Sequence, residues 1–484
     1  MKESKDNKSE NIITNDPGDK RTSAIAFGER FIGFLKTATT PYQVVSTFEK
    51  TLVDAGFELL EMNSIWKIGS MGKYYVKPYD SAIFVFTVGK DMHQLDSFRI
   101  IGSHIDSPGF KIKPKPEMTN NHYMKLNIER YGAPIYYTWL DRRLSIAGKI
   151  MTKSDDAFEP RKIIADFSNT SLAIPSLALH RNREVNKGME FKVQTDMLPL
   201  LGQLGFQADG LTDNLADGLV KNSTESLGSD SAGDKTWNDI KRQTEYFKYF
   251  LGNQLDVNPE SILDYDLNLY INEQGQFIGV NKEIIKAPRI DNLAMAYASM
   301  MAITEVERDK GINVVACFDN EEVGSKSKQG VDSSLLRTIM ERIFHAYDKT
   351  TEQYLRVLPN SFFVSADGAY AVHPNHTDKN DPTNQCEMNK GVTIKMNANR
   401  SYATDTETAA VFQQLCAEID IPVQKYVNHS DMLGGKSIGS MIESQIGIRG
   451  VDVGAPMLAM HSAMEYVGTD DLYDSYQVFK HYLK

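Results

Sequence analysis

Cysteine is scarce in this chain. Its three cysteines, Cys317, Cys386 and Cys416, lie far apart and form no CxxC pair. That excludes a disulfide framework and a cysteine-based zinc site, and it suits a reducing cytosol. Long apolar runs are missing too. No stretch approaches the roughly 18 residues that a membrane helix needs, and the N-terminus, MKESKDNKSENIITNDPGDKR, has no apolar core of signal-peptide length. Positive charge is in deficit, with 53 Lys and Arg against 64 Asp and Glu, a net charge of −11. This balance argues against nucleic acid as the main partner. The expectation is a cytoplasmic protein with neither a membrane nor a nucleic-acid partner.

What is present is ordinary for a soluble globular protein: 41% hydrophobic and 24% charged residues. At 484 residues the chain exceeds one usual domain. Residues 1–20 read as a flexible tail. A helix follows, with Phe27, Phe31 and Phe34 at near-helical spacing. A second starts at Thr40-Pro41, where Thr can cap and Pro fits the first turn; Val44, Phe48 and Leu52 mark its apolar face. Strand-like runs cover Ala82 to Phe86 and Phe98 to Ile101. Between 114 and 277 the texture changes to strand-like segments rich in Tyr, Ile and Val, such as YGAPIYYTWL. Within it, 207–236 is loaded with Asp, Gly, Ser and Asn and reads as a long surface loop or disordered insertion. From about 278 the chain alternates: a helix near 291–308, a strand near 312–318, a helix near 331–347 and a strand near 361–366. Such alternation predicts an α/β sheet, and sites in such sheets form at the carboxyl ends of strands.

Five apolar runs stop at metal-capable residues. They are IIGSHIDSPG (His104, Asp106), APRIDNLAMAY (Asp291), VVACFDNEEVGS (Glu321, Glu322), FFVSADGAYAVHPN (Asp367, His373) and APMLAMHSAMEYVG (His461). Each alone has a plainer explanation: a structural histidine, a helix cap at Asp291, a turn aspartate before glycine at Asp367, a solvated glutamate pair. Together, two histidines, two aspartates and a glutamate make an N/O ligand set for Zn²⁺, Mn²⁺ or Co²⁺. Five ligands are more than one zinc needs and suit two ions with one bridging carboxylate. His104 and Asp106, two apart on an extended segment, share a face, so Asp106 can hold the imidazole. Of the adjacent glutamates, one can bind a metal while the other faces the attacking water.

These residues resemble the aspartyl aminopeptidase and aminopeptidase I family of dinuclear zinc exopeptidases. The likeness runs through GSHIDSPGFKIKP, YGAPIYYTWLDRRLSIAGKI, IPSLALHRNREVN, APRIDNL, FDNEEVGSKSKQG, SADGAYAVHPN, IKMNANRSYATD and APMLAMHSAMEY. The resemblance implies that Asp291 bridges two divalent ions, zinc ahead of cobalt or manganese. It implies that His104 and Asp367 complete one ion, Glu322 and His461 the other, and that Glu321 is the general base. It assigns His180 to a neighbouring subunit's site, Lys395 to acidic substrate side chains and Tyr402 to the scissile carbonyl, with Asp106 supporting catalysis and His373 among the substrate-binding residues. The implied fold is a zinc-exopeptidase mixed-sheet α/β domain (21–113 and 278–484) interrupted by a smaller β-rich assembly domain (114–277). The implied partners are peptide substrates and further copies of the chain, in a tetrahedral dodecamer. Two departures bear on specificity: Lys436 where relatives carry a small residue, and Tyr370 where aspartyl members often have histidine. A long cation at Lys436 could help bind an acidic residue. The expected activity is removal of N-terminal residues, acidic ones preferred. The alternatives are a preference for neutral residues, a deacylase using the same metal pair, or a non-catalytic assembly protein.

Overall fold

The computed structural model describes residues 17–91, 96–203, 245–432 and 434–484. The acidic stretch expected as a loop at 207–236 lies outside the described residues, as do residues 1–16 of the expected tail. Residues 17–20 of that tail are helical instead, the start of a helix spanning Pro17–Leu35. Ion pairs tie this start to the C-terminal helix Thr469–Leu483: Lys20 Nζ lies 2.7 Å from Asp474, and Arg21 pairs with Asp470. Phe27, Phe31 and Phe34 of the first helix pack their rings against Tyr297, at centroid distances of 5.3, 5.5 and 5.0 Å. The second helix, Pro41–Asp54, buries Val44, Phe48 and Leu52. Thr40 occupies its N-cap position but bonds no backbone N–H; its hydroxyl is taken by the Gln43 side chain.

The nine-stranded central sheet is mixed. Its spatial order is Glu58–Leu59, Lys73–Val76, Ile83–Val88, Ile312–Phe318, Phe98–His104, Phe362–Ala366, Arg449–Gly454, Val392–Met396 and Val423–Val427. The inner strands are buried on both faces. Ile83 and Val85 join one apolar cluster, Phe84 and Phe86 the other. This explains why these strands read as unbroken apolar runs rather than alternating ones. Each such side chain contributes roughly 1.5–3 kcal/mol of burial. Helix Ile290–Thr304, apolar on every side, is buried within the first cluster. The expected elements near 291–308, 312–318, 331–347 and 361–366 are the helix Ile290–Thr304, the strand Ile312–Phe318, the helix Leu335–His345 and the strand Phe362–Ala366.

Three neighbours at the centre run parallel, with Phe318 opposite His104 and Phe362 opposite Arg99. Their carboxyl ends therefore open on one edge of the sheet. A five-stranded sheet beside it, built from Gln276–Ile278, Ile284–Ala287, Glu465–Gly468, Pro456–Leu458 and Ala369–Tyr370, brings up the segments around Asp291 and His461.

The third sheet has six antiparallel strands drawn from residues 109–271: Arg161–Asp166, Leu144–Thr152, Ile262–Ile271, Gly109–Asn120, Tyr123–Tyr131 and Leu200–Gln203 in spatial order. It encloses its own core, including Phe110, Leu126, Ile146 and Leu267. The stretch YGAPIYYTWL departs from its strand-like reading. Only Tyr131 ends a strand; Tyr136–Trp139 form a 3₁₀ turn. Gly132 at φ +66° and Pro134 break the ladder, and Trp139 packs edge-on against Phe110 instead. Among the described residues no helix is long and apolar enough to cross a membrane.

Candidate metal centre

Four strand ends and one helix start converge on a single cluster. His104 closes the central strand. Glu321 and Glu322 form the short 3₁₀ turn after Ile312–Phe318, entered through Asn320 at φ +63°. Asp367 follows Phe362–Ala366, Asp291 opens helix Ile290–Thr304, and His461 follows Pro456–Leu458 with φ +67°. Non-glycine residues held at positive φ carry local strain and are a feature of functional sites.

Asp291 lies between the two histidines. Its Oδ1 is 3.5 Å from His104 Nε2, and its Oδ2 is 3.4 Å from His461 Nε2. The same nitrogen of each imidazole meets a second carboxylate: His104 Nε2 is 3.5 Å from Asp367 Oδ1, and His461 Nε2 is 3.5 Å from Glu322 Oε2. These separations are long for hydrogen bonds. Two atoms each about 2.0–2.1 Å from one tetrahedral zinc stand about 3.3–3.4 Å apart, which is close to what is seen. Asp291 Oδ1 is fully buried without a hydrogen-bond partner, a costly state unless a cation approaches it. Among the described residues three groups could hold an ion: His104 with Asp291 and Asp367, Asp291 with Glu322 and His461, and His104 with Glu321 and Glu322. The donors and the orphaned oxygen fit divalent ions.

The electrostatics point the same way. Burial would lower the pKa of His104, but Asp106, Asp291 and Asp367 outweigh it and hold it well above the ordinary imidazole value. Burial opposes the charge on His461 as well, yet Asp291 and Glu322 push it up to about 10. Asp291, despite burial, is held well below the usual carboxylate range by the two histidines. Both imidazoles thus sit where positive charge is strongly favoured. Glu321 is pushed up to about 7 by burial, with Asp367, Asp106 and Asp291 adding to the shift against His104. Glu322 rises well above its ordinary value, chiefly through burial and then Asp291. Asp291, Asp367, Glu321 and Glu322 crowd together beside the Lys395 ammonium, and the raised pKa values of the two glutamates reflect burial and a negative field that bound cations would offset.

A family model described as aminopeptidase I zinc metalloprotease (M18) matches residues 34–483. The chain belongs to the M18 family of aminopeptidases. It is 39% identical to the probable M18 family aminopeptidase 2 of Clostridium novyi, over 95% of this chain and 98% of that protein. The corresponding protein of Ectopseudomonas mendocina is 35% identical, over 91% and 94%. Among solved structures, Ape4 in its complex with Nbr1 superposes with a TM-score of 0.85 at 29% identity, covering 97% of this chain and 87% of Ape4. The Saccharomyces cerevisiae mApe1 dodecamer gives 0.76 at 25%, covering 94% and 95%. The mixed α/β architecture is that of M18 aminopeptidase structures, and metallo-aminopeptidase activity comes with the family.

The remaining residues singled out from sequence fall in different places of this M18 aminopeptidase. Asp106 holds His104, whose Nδ1 is 3.1 Å from the Asp106 carbonyl and 3.3 Å from its Oδ1. Its carboxylate also accepts the backbone N–H groups of Glu321 and Glu322, both at 3.1 Å. It thereby fixes the glutamate turn, a role the spacing of His104 and Asp106 could not reveal. Lys395, expected to meet acidic substrate side chains, is buried. Its Nζ donates to Asp367 Oδ2 at 2.8 Å and to the Gly368 carbonyl at 3.2 Å, and lies 5.2 Å from the buried Tyr402 ring. Tyr370 is half-exposed, 5.7 Å ring to ring from Tyr426. Lys436 is exposed, next to Gly435, which approaches the Tyr370 hydroxyl. His373 is half-buried against His376. His180 is exposed, just after exposed Leu177 and Leu179, and belongs to none of the three groups.

Three contributors escaped the sequence reading. Glu465 is buried, and its carboxylate accepts the backbone N–H of Asp291 at 2.9 Å and of His461 at 2.6 Å. Burial, with Asp291 beside it, pushes its pKa up to about 8. Tyr131 donates to Asp106 Oδ2 at 2.8 Å, and Asn320 Nδ2 donates to the Tyr131 hydroxyl at 2.9 Å. The signal for Glu465 was its place four residues after His461; Tyr131 carried none.

Proposed function

We propose that this M18 aminopeptidase hydrolyses the first peptide bond of peptides at two divalent ions, held by His104 and Asp367 on one side and by His461 and Glu322 on the other, with Asp291 between them. The observation that carries this reading is the position of Asp291, one carboxylate oxygen facing each histidine. Zinc fits the donor set and the family description, with cobalt or manganese as substitutes. Ions held there would supply Lewis-acid polarisation of the scissile carbonyl and would acidify the attacking water. Glu321, held by its backbone N–H on Asp106, takes the proton from that water and delivers it to the leaving amine. Lys395 holds Asp367 so that its other oxygen faces His104. Tyr402 lies beside Lys395, placed to face the carbonyl. The free thiols, all buried, suit a cytosolic setting. Metal analysis on purified protein with a dipeptide panel is the test. Hydrolysis with about two ions per chain is the expected result; turnover unaffected by a chelator would defeat it.

Preference at the first substrate residue has two readings. Acidic residues are accepted if Lys436, with Lys395 behind it, meets their carboxylate. The pairing of Lys395 with Asp367 favours neutral residues, because that ammonium is already partnered. Values of kcat/KM for N-terminal Glu, Asp and Leu, repeated with Lys395→Met and Lys436→Met, separate them. Under the acidic reading Glu and Asp lead and Lys436→Met abolishes the lead; under the neutral reading Leu leads in all three proteins.

We also place an assembly domain at 114–277 between catalytic segments 21–113 and 278–484, a division supported by the separate sheet and core within 109–271. A homo-oligomer, a dodecamer like that of mApe1, would bring exposed His180 to a neighbouring subunit's centre. A fully active monomer in solution would contradict this.

A further inference from the structure

The two halves of the proposed metal centre are supported differently. On one side His104 lies within the central sheet, and Asp367 is gripped by Lys395; both attachments belong to the large sheet. On the other side the support comes from the six-stranded sheet, through the segment Tyr131 to Ile135. The Ala133 carbonyl is 3.2 Å from His461 Nδ1, and the Ile135 N–H donates to the His461 carbonyl at 2.9 Å. Gly132 packs directly on Glu322: a Cβ placed there would stand 3.1 Å from the Glu322 Cβ and 3.3 Å from its carbonyl oxygen. Tyr131 reaches the same turn through Asp106 and Asn320. One short strap thus touches both residues of the His461–Glu322 half.

We propose that the Tyr131–Ile135 strap sets chiefly the ion affinity of the His461–Glu322 half, reaching the His104–Asp367 half only through Asp106, which also holds His104. The proposal rests on the two-ion reading above. Tyr131 is a positioning residue: its hydroxyl bonds to Asp106 and Asn320 rather than to a proposed ligand, and it acts through the Asp106 carboxylate that holds the Glu321–Glu322 backbone. Removing such an outer partner typically costs about 10–100-fold in metal affinity.

The test is zinc binding by calorimetry or equilibrium dialysis on the full chain after stripping with a chelator. Wild type is expected to bind two ions. Gly132→Ala, at φ +66° against Glu322, should leave one affinity unchanged and weaken the other about 10–100-fold, with kcat recovering in excess zinc. Tyr131→Phe, which keeps the ring, should weaken the same ion most and the other less, because Asp106 also holds His104. Tyr265→Phe is the control, losing a hydroxyl bond to the Lys113 carbonyl in the same sheet; it should leave both affinities unchanged. In a Glu322→Gln background, adding Gly132→Ala should leave the remaining site untouched. Equal weakening of both ions, no weakening, a matching loss in Tyr265→Phe, or a further loss in the double variant would each overturn the strap's role. Wild type binding fewer than two ions would instead defeat the two-ion reading on which it stands.

Discussion

Glu321 and Glu322 are neighbours with opposite surroundings, and their variants should part company. Glu321→Gln keeps the shape and removes the base, so the rate should fall about 10²–10⁴-fold with metal content retained. Glu322→Gln should lose metal first. Rate assays paired with metal analysis on both variants check this, and equal metal loss would contradict it. Glu321 also sets the expected acid limb. Burial raises its pKa to about 7, and the base acts only when deprotonated. Activity should therefore fall as pH drops through about 7, and bound cations, which favour the carboxylate, should move that limb to lower pH. A pH profile of kcat/KM at fixed zinc measures it.

At this scale the sequence revealed the residues that end apolar runs: His104, Asp291, Glu321, Glu322, Asp367 and His461. A strand end is visible as a change of hydropathy. It did not reveal what those residues lean on. Asp106 looked like a partner for one histidine because only local spacing could be read, while its bonds to Glu321 and Glu322 cross some two hundred positions of chain. The resemblance assigned Lys395 to substrate carboxylates, while the carboxylate it meets is that of Asp367, a contact that no local spacing displays.

Among the elements, the stretch around Tyr402 leads directly into helix Thr406–Ala417. Its capping box joins Asp405 to the Thr408 N–H at 2.8 Å and Thr408 Oγ1 to the Asp405 N–H at 2.9 Å. Asp405→Ala should cost about 0.5–2 kcal/mol and lower Tm, with the metal content unchanged; thermal unfolding and metal analysis check both halves. The inner strands and the buried helix after residue 278 were legible as apolar runs bounded by polar residues, and helix Leu335–His345 by its one-sided apolar pattern. Two local readings failed for physical reasons. YGAPIYYTWL has the aromatic content of a strand, but Gly132 and Pro134 interrupt it. Thr40 stands at a cap position, yet Gln43 captures its hydroxyl first.

For the whole molecule, burial of every cysteine gives a simple expectation. Burial pushes the Cys317 and Cys416 thiols up to about 12 and raises Cys386. The native protein should resist thiol reagents and release three reactive thiols on denaturation; a colorimetric thiol count in buffer and in guanidinium measures this. Reactive thiols in the native state would mean that the core opens readily.

The order in which the proposed ligands occur along the chain has a consequence for synthesis. His104 is made first, then Asp291, Glu322 and Asp367, and His461 more than three hundred positions after His104. A nascent chain on the ribosome that has not yet reached His461 lacks one of the three residues proposed for that ion. Such a chain holds an incomplete centre, so peptide hydrolysis is expected only once His461 has been made and the five-stranded sheet beside it has closed.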